Sequence, residues 1–238
     1  MPTFVLVHGA WGGAHSWRKV RPLLTQAGHQ VFTPSLTGIG ERAHLTGPHV
    51  NLSVHIDDVT NTILYEDLTD IVLVGFSYGG MVVTGALAHI AARVSELVYL
   101  DAFVPGDGDS VYSLAGAKRT AASPGQLWQV PPIPRQLDDP DETNWSNTRR
   151  SPQPIRTFEE PVRLARSIES YPFGRTYIKA AHDIGPDGEP SPFADTGARL
   201  RGDTSWAYHE IDTNHMIPQN RPHKLVEILT ALVPRGGL

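Results

Sequence analysis

No cysteine occurs among the 238 residues, which excludes disulfides and thiolate chemistry. No apolar run approaches the roughly 18 residues that a membrane-spanning helix requires. Positive charge is also scarce. Lys and Arg number 20 against 25 Asp and Glu, and no basic run exceeds Arg149-Arg150. That balance argues against nucleic acid or a polybasic membrane surface as a partner. The chain enters the apolar run Phe4-Val5-Leu6-Val7 directly after Met1-Pro2-Thr3, leaving no room for a signal peptide. These absences together lead to the expectation of a soluble, cytoplasmic protein, monomer or homodimer, with a small molecule as its partner.

Glycine and proline are abundant instead. The 22 glycines and 20 prolines make up about 18% of the chain, where about 12% is usual. At 26.0 kDa folding buries roughly 70% of the unfolded surface, enough for one core. Short β-branched runs recur at 4–7, 31–35, 71–74, 97–100, 176–180 and 207–211. They are apolar without clean alternation, as strands covered on both faces are. Helical spacing fills 16–27, 53–65, 78–92 and 219–233, with Ser53 as a candidate N-cap. Alternating strands and helices predict an α/β fold with a doubly wound, mainly parallel sheet of six strands. Residues 105–175 break the rhythm with clustered prolines and no strand pattern. A plain loop of that length does not suit a compact domain, so the stretch reads as a mostly helical cap insertion. The expected division is a core of 1–104 and 176–238 with a cap of 105–175.

The strongest chemical signal is Gly75-Phe76-Ser77-Tyr78-Gly79, between a strand and a helical run. This is the context a G-x-S-x-G nucleophile turn requires: the serine is projected from the sheet edge, and flanking glycines avoid clashes. A phosphate-binding turn does not fit, because no lysine follows and the glycine spacing matches neither phosphate fingerprint. His8-Gly9-Ala10-Trp11-Gly12-Gly13 follows the first strand, where a loop can donate one oxyanion N–H. Ala10 and Tyr78 are the candidate donors. His215, between the last strand and the C-terminal helix, stands where the base falls in the order nucleophile, acid, histidine. The other histidines show no metal-ligand spacing, so no metal site and no cofactor are expected. Two residues compete for the acid. Asp101 ends a strand among apolar residues, where a buried charge demands a partner. Asp183 follows the next strand in a turn-rich setting that also explains it without chemistry.

These motifs together resemble the small α/β-hydrolase-fold carboxylesterases. The likeness lies in F-V-L-V-H-G-A-W at 4–11, L-T-G-x-G-E-R-A-H-L at 36–45, S-Y-G-G-M-V at 77–82 and L-V-Y-L-D-A-F-V-P at 97–105. It is similar, more distantly, to plant methyl-ester esterases and hydroxynitrile lyases. The resemblance implies a six-stranded core, a small cap after the fourth strand and hydrolysis of an ester through Ser77, His215 and an acid. The plant relatives imply Asp183 and the bacterial pattern implies Asp101, which is preferred here with Asp183 as the alternative. The lyases carry a threonine at the position of Gly9 and a lysine at that of Met216, so hydrolysis is favoured over cyanohydrin cleavage. The expected substrate is a small to medium, hydrophobic ester. Trp11, Phe103, Tyr112, Trp128, Trp145 and Met216 are candidate contacts to it. Amide or carbamate hydrolysis by the same residues is an alternative, as is a small-molecule receptor on a hydrolase scaffold. Dehalogenation needs a carboxylate where Ser77 stands.

Overall fold

The computed structural model describes residues 2–116, 128–184 and 188–233. Residues 117–127, within the expected cap, and 185–187, in the turn-rich stretch after Asp183, lie outside them.

Six strands form one sheet: β1 (Thr3–Val7), β2 (Gln30–Phe32), β3 (Ile71–Phe76), β4 (Val94–Leu100), β7 (Gly174–Ala180) and β8 (Ala207–Ile211). Two further strands, β5 (Gln129–Val130) and β6 (Gln153–Pro154), pair antiparallel in the segment between β4 and β7. The sheet order is β2-β1-β3-β4-β7-β8 and every pairing in it is parallel. The alternation of side chains explains the uninterrupted apolar runs. Val5, Val7, Leu73, Leu97 and Tyr99 enter one core layer, whereas Phe4, Leu6, Val72, Val74, Val98 and Leu100 enter the other.

The first layer is closed by α2 (Leu52–Tyr65) and α3 (Gly79–Ile90), the second by α1 (Val20–Gln26) and α9 (Pro222–Ala231). Three boundaries differ from the sequence reading. The N-cap of α2 is Asn51, whose side chain accepts from the Val54 N–H; Ser53 instead donates to Glu160 through both its N–H and its hydroxyl. The C-terminal helical pattern divides into α8 (Ile217–Asn220) and α9, because Pro222 cannot donate to the preceding turn. The run 31–35 is a strand only to Phe32, with Pro34 beyond it. Between β4 and β7 lie α4 (Val111–Leu114), α5 (Pro140–Asn147) and α6 (Arg156–Glu159), together with the β5–β6 pair that the reading without strands missed. Two-residue strands carry too little periodicity to be read from sequence. The eighth strand is followed by α8, and α7 (Ala194–Arg201) connects β7 to β8.

The chain runs outward from β1 to β2, then crosses back past β1 to β3 and continues outward to β4 on the other side. The crevice of an open parallel sheet lies at such a reversal, beyond the carboxyl ends of the strands. Those ends are His8-Gly9 and Ser77. Close packing there is strict: a Cβ on Gly80 would stand 2.1 Å from the Phe103 carbonyl oxygen. Gly80→Ala is therefore expected to cost about 3 kcal/mol in urea unfolding, since backbone must move to admit the methyl group. Gly106→Ala, where the nearest group is a side-chain oxygen at 3.4 Å, is expected to stay within about 0.5 kcal/mol of the parent.

Candidate active site

Ser77 follows β3 with φ +57°, a left-handed conformation that a side chain normally avoids. It is held there from both sides. Its N–H donates to the Leu100 carbonyl at 3.2 Å, and its carbonyl accepts from Gly80 at 3.1 Å and Phe103 at 3.3 Å. Gly9 packs against it so closely that a Cβ would lie 2.8 Å from the Ser77 Cβ. A threonine there would press on the serine.

The loop after β1 is fixed by neutral histidines. His8 is buried, with Nε2 accepting from the Leu36 N–H and Nδ1 donating to the Gly9 carbonyl. Burial lowers its pKa to about 4, so it stays an uncharged donor–acceptor pair. His55 donates from Nε2 to the Thr37 carbonyl and accepts the Tyr78 hydroxyl at Nδ1, and burial lowers it to about 3. Tyr78, directly after the serine, is thereby anchored to α2. No acceptor among the described residues engages the backbone N–H of Ala10 or of Tyr78.

Asp101, also at positive φ (+41°), ends β4 with no exposed surface. Its Oδ2 lies 2.7 Å from His215 Nδ1, and its Oδ1 accepts from Lys179 Nζ at 2.7 Å and from the Ala180 N–H at 3.2 Å. Burial raises the carboxyl above its ordinary value while the Lys179 ammonium pulls it back. Asp183 approaches the same groups less closely, with Oδ2 4.0 Å from His215 Nδ1 and 3.8 Å from Lys179 Nζ. That oxygen is buried without a hydrogen-bond partner among the described residues. Asp101, Asp183 and His215 offer ligand-type atoms within 4.8 Å of one another. The Lys179 ammonium already supplies the cation at this cluster, so the donor set does not call for a metal.

His215 is stacked between Phe76, 4.8 Å away, and Phe193, 5.1 Å away. Burial first, then the charge of Arg135, holds its pKa well below an ordinary histidine's. A neutral imidazole with Nδ1 committed to a carboxylate has Nε2 free to accept a proton. Phe76, the residue before the serine, thus packs on the imidazole itself.

The candidate substrate contacts separate. Met216 lines both a cavity of about 200 Å³ beside His215 and a narrow slot reaching Gly9 and Ala10. Trp11 lines neither opening. Its indole donates to the Val130 carbonyl, and its ring meets Phe158 edge-on. Phe103 packs edge-on against Phe193, and Tyr112 against Phe158. Trp128 receives the Ile155 N–H on its carbonyl. Trp145 is taken up by Arg18 and Arg149, whose guanidiniums stand 4.0 and 4.3 Å from its ring centroid. Lys179, Phe193, Arg135 and Arg150 had no signal in the sequence. Nothing local to a strand lysine, or to arginines in an irregular segment, marks them as facing a histidine far away along the chain.

The sequence profile of the alpha/beta hydrolase family matches residues 4–228. This chain belongs to that family. It is 40% identical to the carbendazim hydrolyzing esterase of Nocardioides sp. (strain SG-4G), over 98% of this chain and 100% of that protein. An alpha-hydroxynitrile lyase of Arabidopsis thaliana is 37% identical across 43% of this chain and 40% of its own. Among solved structures, an extracellular alpha/beta-hydrolase from a Paenibacillus species superposes with a TM-score of 0.84, over 98% of this chain and 100% of its own. At 23% identity that likeness speaks to the fold. The family and its esterase relative make this hydrolase an enzyme that cleaves ester bonds. Among the described residues no helix is long and apolar enough to cross a membrane.

The buried Lys179–Asp101 pair carries a stability prediction that is independent of catalysis. Lys179→Met leaves the carboxylate without its ammonium and is expected to cost about 3 kcal/mol at pH 7, as breaking a buried pair does. The double variant Lys179→Met/Asp101→Asn is expected to recover part of that loss in urea unfolding, giving a coupling of at least about 1 kcal/mol.

Proposed function

We propose that the chain is a serine carboxylic-ester hydrolase that works through an acyl-enzyme. One observation carries the reading. The strained Ser77 turn carries Phe76, whose ring stacks 4.8 Å from the imidazole of a buried His215–Asp101 pair only 2.7 Å apart. Ser77 Oγ attacks the ester carbonyl while His215 Nε2 takes its proton; the same nitrogen then protonates the departing alkoxide. Asp101 orients the imidazole through Nδ1 and stabilises the imidazolium as it forms. The Ala10 and Tyr78 N–H groups receive the developing oxyanion, aided by the N-terminus of α3 behind the serine. Water, activated by His215, then releases the acid. Asp101 is favoured over Asp183 by distance, 2.7 against 4.0 Å, and by its complete set of partners. The ester carbonyl is directed at the Gly9-Ala10 backbone, with Phe76 and Met216 the apolar side chains on that side.

Ser77→Ala is expected to lower kcat on p-nitrophenyl acetate and butyrate by more than about a thousandfold. Equal slow turnover by parent and variant would overturn the proposal and favour a receptor. Extending the assay to carbendazim and to methyl esters of graded size ranks the bonds it cleaves. Asp101→Asn is expected to lose about 10⁴ in kcat through the wrong imidazole tautomer. Asp183→Asn is expected to stay within about tenfold, because its carboxylate stands outside hydrogen-bond distance of Nδ1; the reverse ranking would reassign the acid.

The pH profile follows from the same geometry. Burial favours the neutral imidazole, so kcat/KM in the free enzyme is expected to hold its plateau below pH 6.5, where an ordinary histidine would already be half protonated. Lys179→Met removes the ammonium that favours ionised Asp101, so the acid limb should move to higher pH. A limb that does not move would show that Lys179 only packs.

A further inference from the structure

Two arginines from the segment between β4 and β7 reach the site, and neither has a carboxylate at ion-pair distance among the described residues. Both are mounted on the end of α5. The side-chain amide of Asn147 brackets Arg135, accepting from its N–H and donating to its carbonyl at 2.9 Å each. The Arg150 N–H donates to the Asn147 carbonyl. The next residue, Ser151, donates from its N–H to the Trp11 carbonyl at 3.0 Å and from its hydroxyl bonds the Gly40 N–H at 2.7 Å, accepting there. Gln153 receives the Trp11 N–H. Arg150 is therefore delivered to the loop after β1 by a bonded frame.

Its guanidinium stands 5.6 Å from the Trp11 ring centroid and lines the slot that contains Gly9, Ala10 and Met216. Arg135 lines the adjoining cavity, with His215, Met216 and Asp183. The two openings share Met216. The Nε of each arginine is buried without a hydrogen-bond partner among the described residues. Both side chains are half-buried, and the forked donors of a guanidinium match a carboxylate.

The charges around His215 do not cancel. Lys179, Arg135 and Arg150 are three cations, and Asp101 and Asp183 are two carboxylates. Lys179 is spent on Asp101, at 2.7 Å, and approaches Asp183 at 3.8 Å. Arg135 feels both carboxylates through their charge, whereas Arg150 is repelled by Arg135. One positive charge is left over, beside the Gly9-Ala10 backbone and Met216.

We infer that Arg150, assisted by Arg135, is a subsite for a carboxylate carried by the substrate, so that the preferred esters are monoesters of dicarboxylic acids or similar anionic esters. This rests on the esterase reading of Ser77 and names its substrate class. An apolar body against Met216 and Phe76 is compatible with it; the anionic group is the distal end that Arg150 takes up.

The experiment compares monomethyl adipate with methyl heptanoate, which has the same number of chain atoms but no charge, by methanol release. The parent is expected to prefer the anionic ester in kcat/KM. Arg150→Met is expected to lower the ratio of the two kcat/KM values by about tenfold, chiefly through KM, and Arg150→Lys to retain part of it. Circular dichroism checks that the variants fold, and Arg135→Met gives a second route to the same ratio. An unchanged ratio in Arg150→Met would overturn the inference. So would an equal loss of kcat on both esters, which would make Arg150 a general electrostatic aid. Binding separates this from failure of the esterase reading. Calorimetry on the Ser77→Ala protein is expected to show monomethyl adipate bound about tenfold more weakly once Arg150→Met is added. If the parent hydrolyses neither ester, the esterase reading falls, and the calorimetric comparison alone upholds or overturns the anion subsite.

Discussion

Two side chains that resist a left-handed backbone, Ser77 and Asp101, are forced into it at the ends of adjacent parallel strands. Each such residue costs about 1–2 kcal/mol, and it persists only where its surroundings leave no alternative. Here the surroundings are shared. The Ser77 N–H holds the Leu100 carbonyl just before Asp101, and its own carbonyl holds the Phe103 N–H just after. Asp101 in turn is tied by its N–H to Ile178 of β7. Sheet register thus fixes the serine, and the serine fixes the turn that carries the aspartate. The glycines of the β3–α3 turn belong to the same constraint, since close backbone approach leaves no volume for their side chains.

Electrostatics is layered onto that frame. Three histidines, at positions 8, 55 and 215, are kept neutral by burial, yet they do different work. His8 and His55 use both ring nitrogens on backbone or hydroxyl partners and so immobilise the loops around the serine. His215 commits one nitrogen to Asp101 and is gripped between two phenyl rings, which leaves the other available. A buried carboxylate would ordinarily become neutral; Lys179 and the Ala180 N–H oppose that and keep the pair functional as an ion-pair acceptor. Burial and the nearby cations Arg135, Lys179 and Arg150 keep His215 neutral, and only the carboxylates at its side oppose them.

Features legible in the sequence were those whose cause is local. The G-F-S-Y-G turn can be read because a strand, a strained residue and a helix start must be contiguous. The six strands show because burial on both faces leaves unbroken apolar runs. His215 was recognisable from its place after the last strand. Boundaries were less legible: Asn51 and Ser53 are both good caps by residue type, and only the partner Glu160 draws Ser53 away. The two-residue β5 and β6 have no periodicity to detect.

What the sequence by itself determined is the order of elements and the identity of the nucleophile and base candidates, because these depend on patterns within a few residues. Only the tertiary structure decided that Asp101 comes within 2.7 Å of the histidine while Asp183 stops at 4.0 Å. It alone brought Lys179, Phe193, Arg135 and Arg150 to the same place, from β7, the turn before α7 and the segment after β4. The scarcity of positive charge noted at the outset holds for the chain as a whole, yet three of its 20 basic residues converge on one site. Charge balance is a property of neighbourhoods in space, and composition cannot report where those neighbourhoods form.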